Sequence, residues 1–172
     1  MKLGIVIFPT KEIQDVANSY RMRYDPHYAL LSPHLTLKEA FEASESDLPA
    51  IVNELKKVSS QHSSFELTIN KISHFYPTNN VIYFAVEDQP KLDELHQSLH
   101  QVDLLKHERK YSFVPHITIG QKMPDDELHD IYNRIKMADI QFTFKVDRFH
   151  LLYQLENETW SIHQSFSLGE DC

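Results

Sequence analysis

The sequence predicts an α+β fold built from two similar halves. Three observations carry this prediction: segments with strand-type alternation are interspersed with segments of helical spacing, the order of these segments repeats, and the pattern His-x-Thr occurs twice. Because the strands alternate with helices and also form hairpins, we expect mixed, mostly antiparallel sheets flanked by helices.

The first half of the chain begins with a short apolar strand over 3–9 (LGIVIFP), which a proline ends. A helix over 11–25 follows, since Ile13, Val16 and Ala17 fall on one helical face. A second strand over 34–42 (HLTLKEAFE) carries the first His-x-Thr. Strand and helix therefore alternate from the start.

The middle of the chain continues with a helix and a hairpin. Cap-type residues open a helix over 46–61, whose apolar residues Ile51, Leu55 and Val58 recur at helical intervals. The alternating runs FELTINKISHFY and NNVIYFAVED then flank a proline and two asparagines, which is a hairpin signal.

The second half repeats this order. A helix (QPKLDELHQSLHQV), a basic loop, the strand YSFVPHITIG with the second His-x-Thr, a helix (PDDELHDIYNRIKM), one long strand (FTFKVDRFHLLY) and a last strand (TWSIHQSFSL) follow one another. The two His-x-Thr motifs lie 116 − 34 = 82 residues apart, and Phe65 and Phe142 lie 142 − 65 = 77 apart. Near-equal offsets favour an internal duplication, so we expect a single domain over 1–172 made of two lobes.

Composition limits the classes of function. The 172 residues are 41% hydrophobic and 24% charged, which is typical of a folded chain, and three glycines are too few for a dinucleotide loop or a P-loop. A net charge of −8 disfavours binding along an extended nucleic acid. The single cysteine, Cys172, excludes an intrachain disulfide. The apolar run at the N-terminus is too short for a membrane span. We therefore expect a cytoplasmic protein without membrane contact.

The two His-x-Thr motifs carry the chemistry. Side chains two apart in a strand share a face, so His34 and Thr36 point one way while the apolar residues between them point to the core, and the same holds for His116 and Thr118. Related by an approximate two-fold, the polar pairs can converge on one cleft. One imidazole can then act as base and the other as acid at a phosphodiester, with the hydroxyls donating to its non-bridging oxygens, and this chemistry needs no metal or other cofactor.

The pair HLTL and HITI resembles the two H-x-T-x motifs of the two-histidine (2H) phosphoesterase superfamily, which includes the bacterial 2′-5′ RNA ligase-like proteins and cyclic nucleotide phosphodiesterases. The resemblance implies a bilobal fold with pseudo-two-fold symmetry, an active-site groove between the lobes, and metal-independent opening of a 2′,3′-cyclic or 2′-5′ phosphodiester. It implies His34 as proton donor, His116 as proton acceptor, and Thr36 and Thr118 as phosphate-binding residues. The two histidine roles reverse with the direction of the reaction.

Other polar residues have more ordinary interpretations. Basic residues precede each motif and suit either a phosphate at the cleft mouth or simple solubility: Arg21, Arg23, Lys106, Arg109 and Lys110. His96 and His100 have a spacing that can hold a metal, but an exposed helix face is the expected explanation. We place the remaining histidines in helices or loops, facing solvent or an interface: His27, His62, His74, His107, His129, His150 and His163.

Three functions stay open at the level of sequence. The first is a phosphoesterase acting on a small nucleotide or an RNA terminus. The second is a catalytically silent module that binds the same kind of ligand. The third is a zinc site using His34 and His116, against which the threonine two residues on is a poor ligand. The sequence leaves the physiological substrate and the oligomeric state undetermined.

Overall fold

The computed structural model describes residues 1–105 and 112–169, which form a curled eight-stranded sheet with four α-helices. The strands are β1 (Lys2–Ile7), β2 (Leu35–Glu42), β3 (Phe65–His74), β4 (Val81–Val86), β5 (His116–Gln121), β6 (Phe142–Val146), β7 (Arg148–Gln154) and β8 (Trp160–Ser167). The helices are α1 (Lys11–Tyr24), α2 (Leu48–Ser60), α3 (Pro90–Gln101) and α4 (Asp125–Ile135). The predicted α+β class is confirmed.

The strand order is β6-β3-β4-β5-β2-β1-β7-β8, and neighbouring strands run antiparallel throughout. The sequence predicted several mostly antiparallel sheets, and the strands instead join into one. The two His-x-Thr strands, β2 and β5, lie at the centre of the order, with three strands on each side. The join between the two sides is narrow, since β2 and β5 pair only at Leu35 and Ile117.

The two halves of the chain exchange their long strands. β3 leaves the first half and pairs with β4 of the second, while β7 leaves the second half and pairs with β1 of the first. Each side of the sheet therefore contains strands from both halves. The pairing of β3 with β4 is the predicted hairpin, whereas the pairing of β7 with β1 joins distant segments and is invisible to sequence periodicity.

The run FTFKVDRFHLLY is two strands, so the prediction of one long strand was wrong. β6 ends at Val146 and pairs with β3, whereas β7 begins at Arg148 and pairs with β1 and β8. Asp147 lies between them, and its carbonyl accepts a hydrogen bond from the Leu168 amide at 2.8 Å. In the order of the sheet, β6 is the first strand and β7 is the seventh. Because only Asp147 connects these two strands, the sheet must curl until its two ends approach each other.

Helices cover the apolar face of the sheet as the sequence predicted. Ile13 and Ala17 of α1, and Ile51, Leu55 and Val58 of α2, are buried in one continuous hydrophobic core. α1 packs against β5, and α3 packs against β2, so each His-x-Thr strand is supported by a helix from the other half of the chain. Among the described helices, none combines the length and apolarity that crossing a membrane requires.

Two smaller predictions were wrong. The strand predicted from YSFVPHITIG begins only at His116, because Pro115 has no amide proton for a strand ladder. His74, His150 and His163 lie in β3, β7 and β8 rather than in helices or loops. The runs that the sequence predicts as strands already contain these three histidines, so only their separate placement in helices or loops is wrong.

Candidate active site

The pairing of β2 with β5 brings the two motifs side by side. Leu35 and Ile117 are direct partners and are fully buried in the core, so the residues on either side of them face away from it. In an antiparallel pair with this register, Thr36 lies beside His116 and Thr118 lies beside His34. The four predicted site residues are half-buried and share one face of the sheet.

Each histidine ring is fixed by a main-chain carbonyl two residues earlier. His34 Nδ1 donates to the carbonyl oxygen of Ser32 at 2.8 Å, and His116 Nδ1 donates to that of Val114 at 2.7 Å. A carbonyl can only accept, so the proton of each neutral ring is on Nδ1 and Nε2 is left with a lone pair. Both rings therefore have the tautomer that offers Nε2 as a base.

The proline before each histidine helps to set this arrangement. Pro33 and Pro115 restrict the preceding residue to extended conformations, which orients its carbonyl. The repeated Pro-His pair is the sequence signal for the shared orientation of the two histidine rings. Its effect on the tautomer is evident only from the hydrogen bonds, because the sequence does not show which group the ring nitrogen meets.

Both imidazoles favour the neutral form. Burial lowers the pKa of His34 to about 4; the hydrogen bond to Ser32 opposes this, while the positive charges of Arg21 and His116 add to it. Burial also lowers the pKa of His116, against the opposing effects of its main-chain hydrogen bond and the negative charge of Glu39.

Two aromatic rings pack around His116. The Phe75 ring meets it edge-on with centroids 4.9 Å apart, and the Tyr83 ring lies 5.3 Å away. Phe75 and Tyr83 are stacked on each other at 4.2 Å. These contacts exclude water from one side of the imidazole and account for part of its burial.

Two adjoining cavities open at the motifs, and Thr36 lines both. The cavity on the His116 side has a volume of about 470 Å³ and is bounded by apolar and aromatic groups, among them Phe75 and Phe113. The cavity on the His34 side, about 380 Å³, is more polar and includes Thr118. The cleft is thus asymmetric in chemistry although its two motifs are alike.

A buried polar cluster borders the His34 cavity. Arg21 and Asp25 form an ion pair at 3.4 Å, with side chains only 3% and 2% exposed. Asp25 also accepts hydrogen bonds from Gln121 Nε2 at 2.9 Å and from the His27 amide at 2.8 Å. Sequence reasoning missed Asp25 and Gln121, and the spacing of Arg21 and Asp25 on one helical turn was the available signal.

The predicted basic residues have different fates. Arg21 lines the His34 cavity, but its guanidinium is engaged by protein groups, and Arg23 is exposed. Lys106, Arg109 and Lys110 lie outside the described residues.

The prediction of an exposed face for His96 was wrong. His96 is 6% exposed and stacks on Phe113 with centroids 3.7 Å apart, and His100 lies next to it at 4.1 Å. Both line the His116 cavity. Their burial follows from the packing of α3 against β2, which the helical spacing alone does not reveal.

Within 1–105 and 112–169, no three His, Cys, Asp or Glu side chains are grouped so as to hold a metal ion.

Solved structures share this architecture over almost their whole length. The crystal structure of Escherichia coli LigT with 3′-AMP superposes with a TM-score of 0.73 over 97% of each chain at 16% identity. TT0787 of Thermus thermophilus superposes with a TM-score of 0.71 over 100% of each chain at 17% identity. At these identities the likeness establishes the fold, which is that of LigT.

Sequence comparisons establish the family. The family model described as the 2′-5′ RNA ligase superfamily matches residues 9–158. A protein of Bacillus cytotoxicus is 54% identical over 170 residues, covering 99% of this chain and 98% of its own, and a protein of Bacillus mycoides is 52% identical over 171 residues, covering 99% of both. Both carry the provisional name of phosphoesterase. The chain belongs to the 2′-5′ RNA ligase superfamily of two-histidine phosphoesterases, as the paired motifs predicted.

Proposed function

We propose that this protein hydrolyses a 2′,3′-cyclic or 2′-5′ phosphodiester of a nucleotide or an RNA terminus, using His34 and His116 as its acid–base pair. The observation that carries the proposal is the matched pair of hydrogen bonds that leaves Nε2 of both rings available at one cleft. Family membership supports it, since close relatives carry the name of phosphoesterase.

In the proposed reaction, His116 Nε2 takes a proton from the attacking water as the oxygen forms a bond to phosphorus. His34, which receives its proton before the step, donates it from Nε2 to the departing ribose oxygen as the phosphorus–oxygen bond breaks. Thr36 and Thr118 donate hydroxyl hydrogen bonds to the non-bridging oxygens, where negative charge accumulates. In the reverse, ring-closing or ligating direction the two histidines exchange roles.

The proton on His34 is consistent with a bound anion. Burial keeps the unliganded ring neutral, but a phosphodiester carries a negative charge beside both imidazoles and favours their protonation. Substrate binding therefore supplies the condition for one ring to be an acid while the other stays a base. No metal has a part in this scheme.

The cleft supports a small nucleotide as the substrate. Phe75 is stacked on Tyr83 and lines the His116 cavity. Because aromatic rings stack on nucleobases, this ring supports a base-binding role for the cavity. The cavity volume of about 470 Å³ is in the range of small-ligand sites. LigT, whose fold this chain shares, was crystallised with 3′-AMP. The net charge of −8 favours short ends over long RNA.

A Phe75→Leu variant tests the proposed base contact. Leucine keeps apolar bulk beside His116 but removes the aromatic face, so we expect KM to rise by about 5- to 150-fold, corresponding to about 1–3 kcal/mol of stacking, with kcat within a few-fold of wild type. Steady-state kinetics of Phe142→Leu, a half-buried ring of β6 that lines neither cavity, is the control. An unchanged KM in Phe75→Leu would remove this ring from the binding site.

The pH dependence follows from the two lowered pKa values. The base must be deprotonated and the acid protonated, so kcat/KM rises through the lower pKa and falls through the higher one. Both lie below the ordinary value of 6.5, so we expect the maximum of kcat/KM on the acid side of 6.5. The maximum of kcat should lie at higher pH, because the negative charge of the bound phosphodiester raises the pKa of both histidines. A kcat/KM that continues to increase above pH 6.5 would contradict the lowered pKa values of His34 and His116.

The substrate class is tested by turnover of a panel with the wild-type protein. The panel contains 2′,3′-cyclic mononucleotides, a 2′-5′ dinucleotide and a cyclic-phosphate-ended oligonucleotide, each with and without excess chelator. Turnover that survives the chelator is the expected result. Binding without turnover would support the silent binding module instead, and turnover abolished by the chelator would support the zinc site.

A further inference from the structure

The turn before His34 has three successive carbonyls, and each accepts a hydrogen bond from a different part of the protein. The main-chain amide of Trp160 donates to Leu30 at 3.0 Å. Arg21 Nη2 donates to Leu31 at 2.6 Å, and His34 Nδ1 donates to Ser32 at 2.8 Å. The carbonyl that sets the tautomer of His34 is therefore next to one that a guanidinium holds.

Arg21 is anchored well enough to fix this turn. Its Nη1 donates to Asn18 Oδ1 at 2.6 Å, and its Nε donates to Asp25 at 3.4 Å. Asp25 is in turn bound by Gln121, which lies on β5 together with His116. Only 3% of Arg21 is exposed, so the guanidinium has little freedom to leave these partners. The residue thereby connects α1, the turn and the strand of the second motif.

We propose that Arg21 is a positioning residue that acts through the Leu31 carbonyl to hold the Ser32 carbonyl against His34 Nδ1, so that Nε2 stays directed at the cleft. Arg21 does not need to touch the substrate for this role. The consequence for turnover rests on the proposed function, whereas the effect on the His34 tautomer does not.

The second histidine has the same kind of hydrogen bond to a carbonyl, but its surroundings differ. The His116 ring packs against Phe75 and Tyr83, and its acceptor, Val114, is 44% exposed. A change at Arg21 should therefore alter His34 and leave the ring of His116 nearly unaffected. This difference makes His116 an internal reference within the same protein.

The test is the tautomeric state of both rings, read from the ring ¹⁵N shifts of the full chain labelled at histidine, at neutral pH. We expect His34 to be a single Nδ1–H tautomer in the wild type and a mixture of tautomers in Arg21→Gln, with His116 unchanged in both. Arg134→Gln, an exposed arginine of α4, is the matched control and should resemble wild type. In parallel, kcat of Arg21→Gln should fall by about 10- to 100-fold with little change in KM.

Arg21→Lys keeps the positive charge but loses the planar fork that reaches several acceptors, so it should also show mixed tautomers at His34. This milder variant decides the question if Arg21→Gln does not fold. A single Nδ1–H tautomer together with wild-type kcat in a folded Arg21 variant would overturn the proposal. Mixed tautomers in a protein whose wild type turns over no phosphodiester would support the positioning role and contradict the proposed function.

Discussion

His34→Ala and His116→Ala are each expected to lower kcat/KM by about 10²- to 10⁴-fold, the usual worth of one positioned proton transfer. Each substitution removes the Nε2 that its ring offers at the cleft, and neither ring can replace the other, since one step needs an acid and a base at the same time. Circular dichroism and denaturant unfolding should show an intact fold, because both side chains are only half-buried.

His163→Ala is the matched control for this pair. His163 is an exposed histidine on β8, where its ring meets Tyr153 at 6.4 Å, and its removal should leave turnover unchanged. The double variant His34→Ala/His116→Ala should be little worse than the poorer single variant, since the two groups act as a unit. Preserved activity in either single variant would remove that histidine from the mechanism.

Thr36→Val and Thr118→Val should each lower kcat by about 10²-fold, at the lower end of the usual loss for one donor to a developing oxyanion and no more than the effect of either histidine. Valine keeps the shape and the strand preference of threonine, so the loss reports the hydroxyl. KM should change little if the bond strengthens in the transition state. The measurement is steady-state kinetics on the substrate with the highest turnover.

Thr68→Val serves as the control for the threonine variants. Thr68 is also a strand threonine, on β3, and its hydroxyl lies 3.1 Å from that of Thr143, far along the sheet order from β2. We expect wild-type kinetics. A larger loss in Thr36→Val than in Thr118→Val would follow from the position of Thr36 at the border of both cavities. Wild-type activity in both Thr36→Val and Thr118→Val would contradict a phosphate-binding role for these two hydroxyls.

Most elements of the fold were predictable because local pattern determines them. The helical spacing of Ile51, Leu55 and Val58 and the hairpin of β3 and β4 both depend on residues close in sequence, and both predictions are confirmed. The pairing of β7 with β1 and of β3 with β6 joins segments that are far apart in the chain. Periodicity has no access to that pairing, so the break at Asp147 was also missed.

The motifs could be recognised from sequence because their residue types and spacing repeat. Their surroundings could not. Asp25 and Gln121 meet across the fold at 2.9 Å although they are far apart in the chain, and the stacking of His96 on Phe113 depends on how α3 packs against β2. The roles of the four motif residues remain predictions that the kinetics above address.

The most direct test of the paired-histidine mechanism compares the losses of His34→Ala and His116→Ala on two diesters, one with a ribose leaving group and one with 4-nitrophenolate. A nitrophenolate needs no proton to depart, so loss of the acid should matter much less for it, while loss of the base should matter equally for both. The account predicts that His34→Ala has most of the wild-type activity on the nitrophenyl ester. His116→Ala should be as impaired on the nitrophenyl ester as on the ribose ester. Equal losses on both substrates in both variants would contradict the division of acid and base between these two histidines.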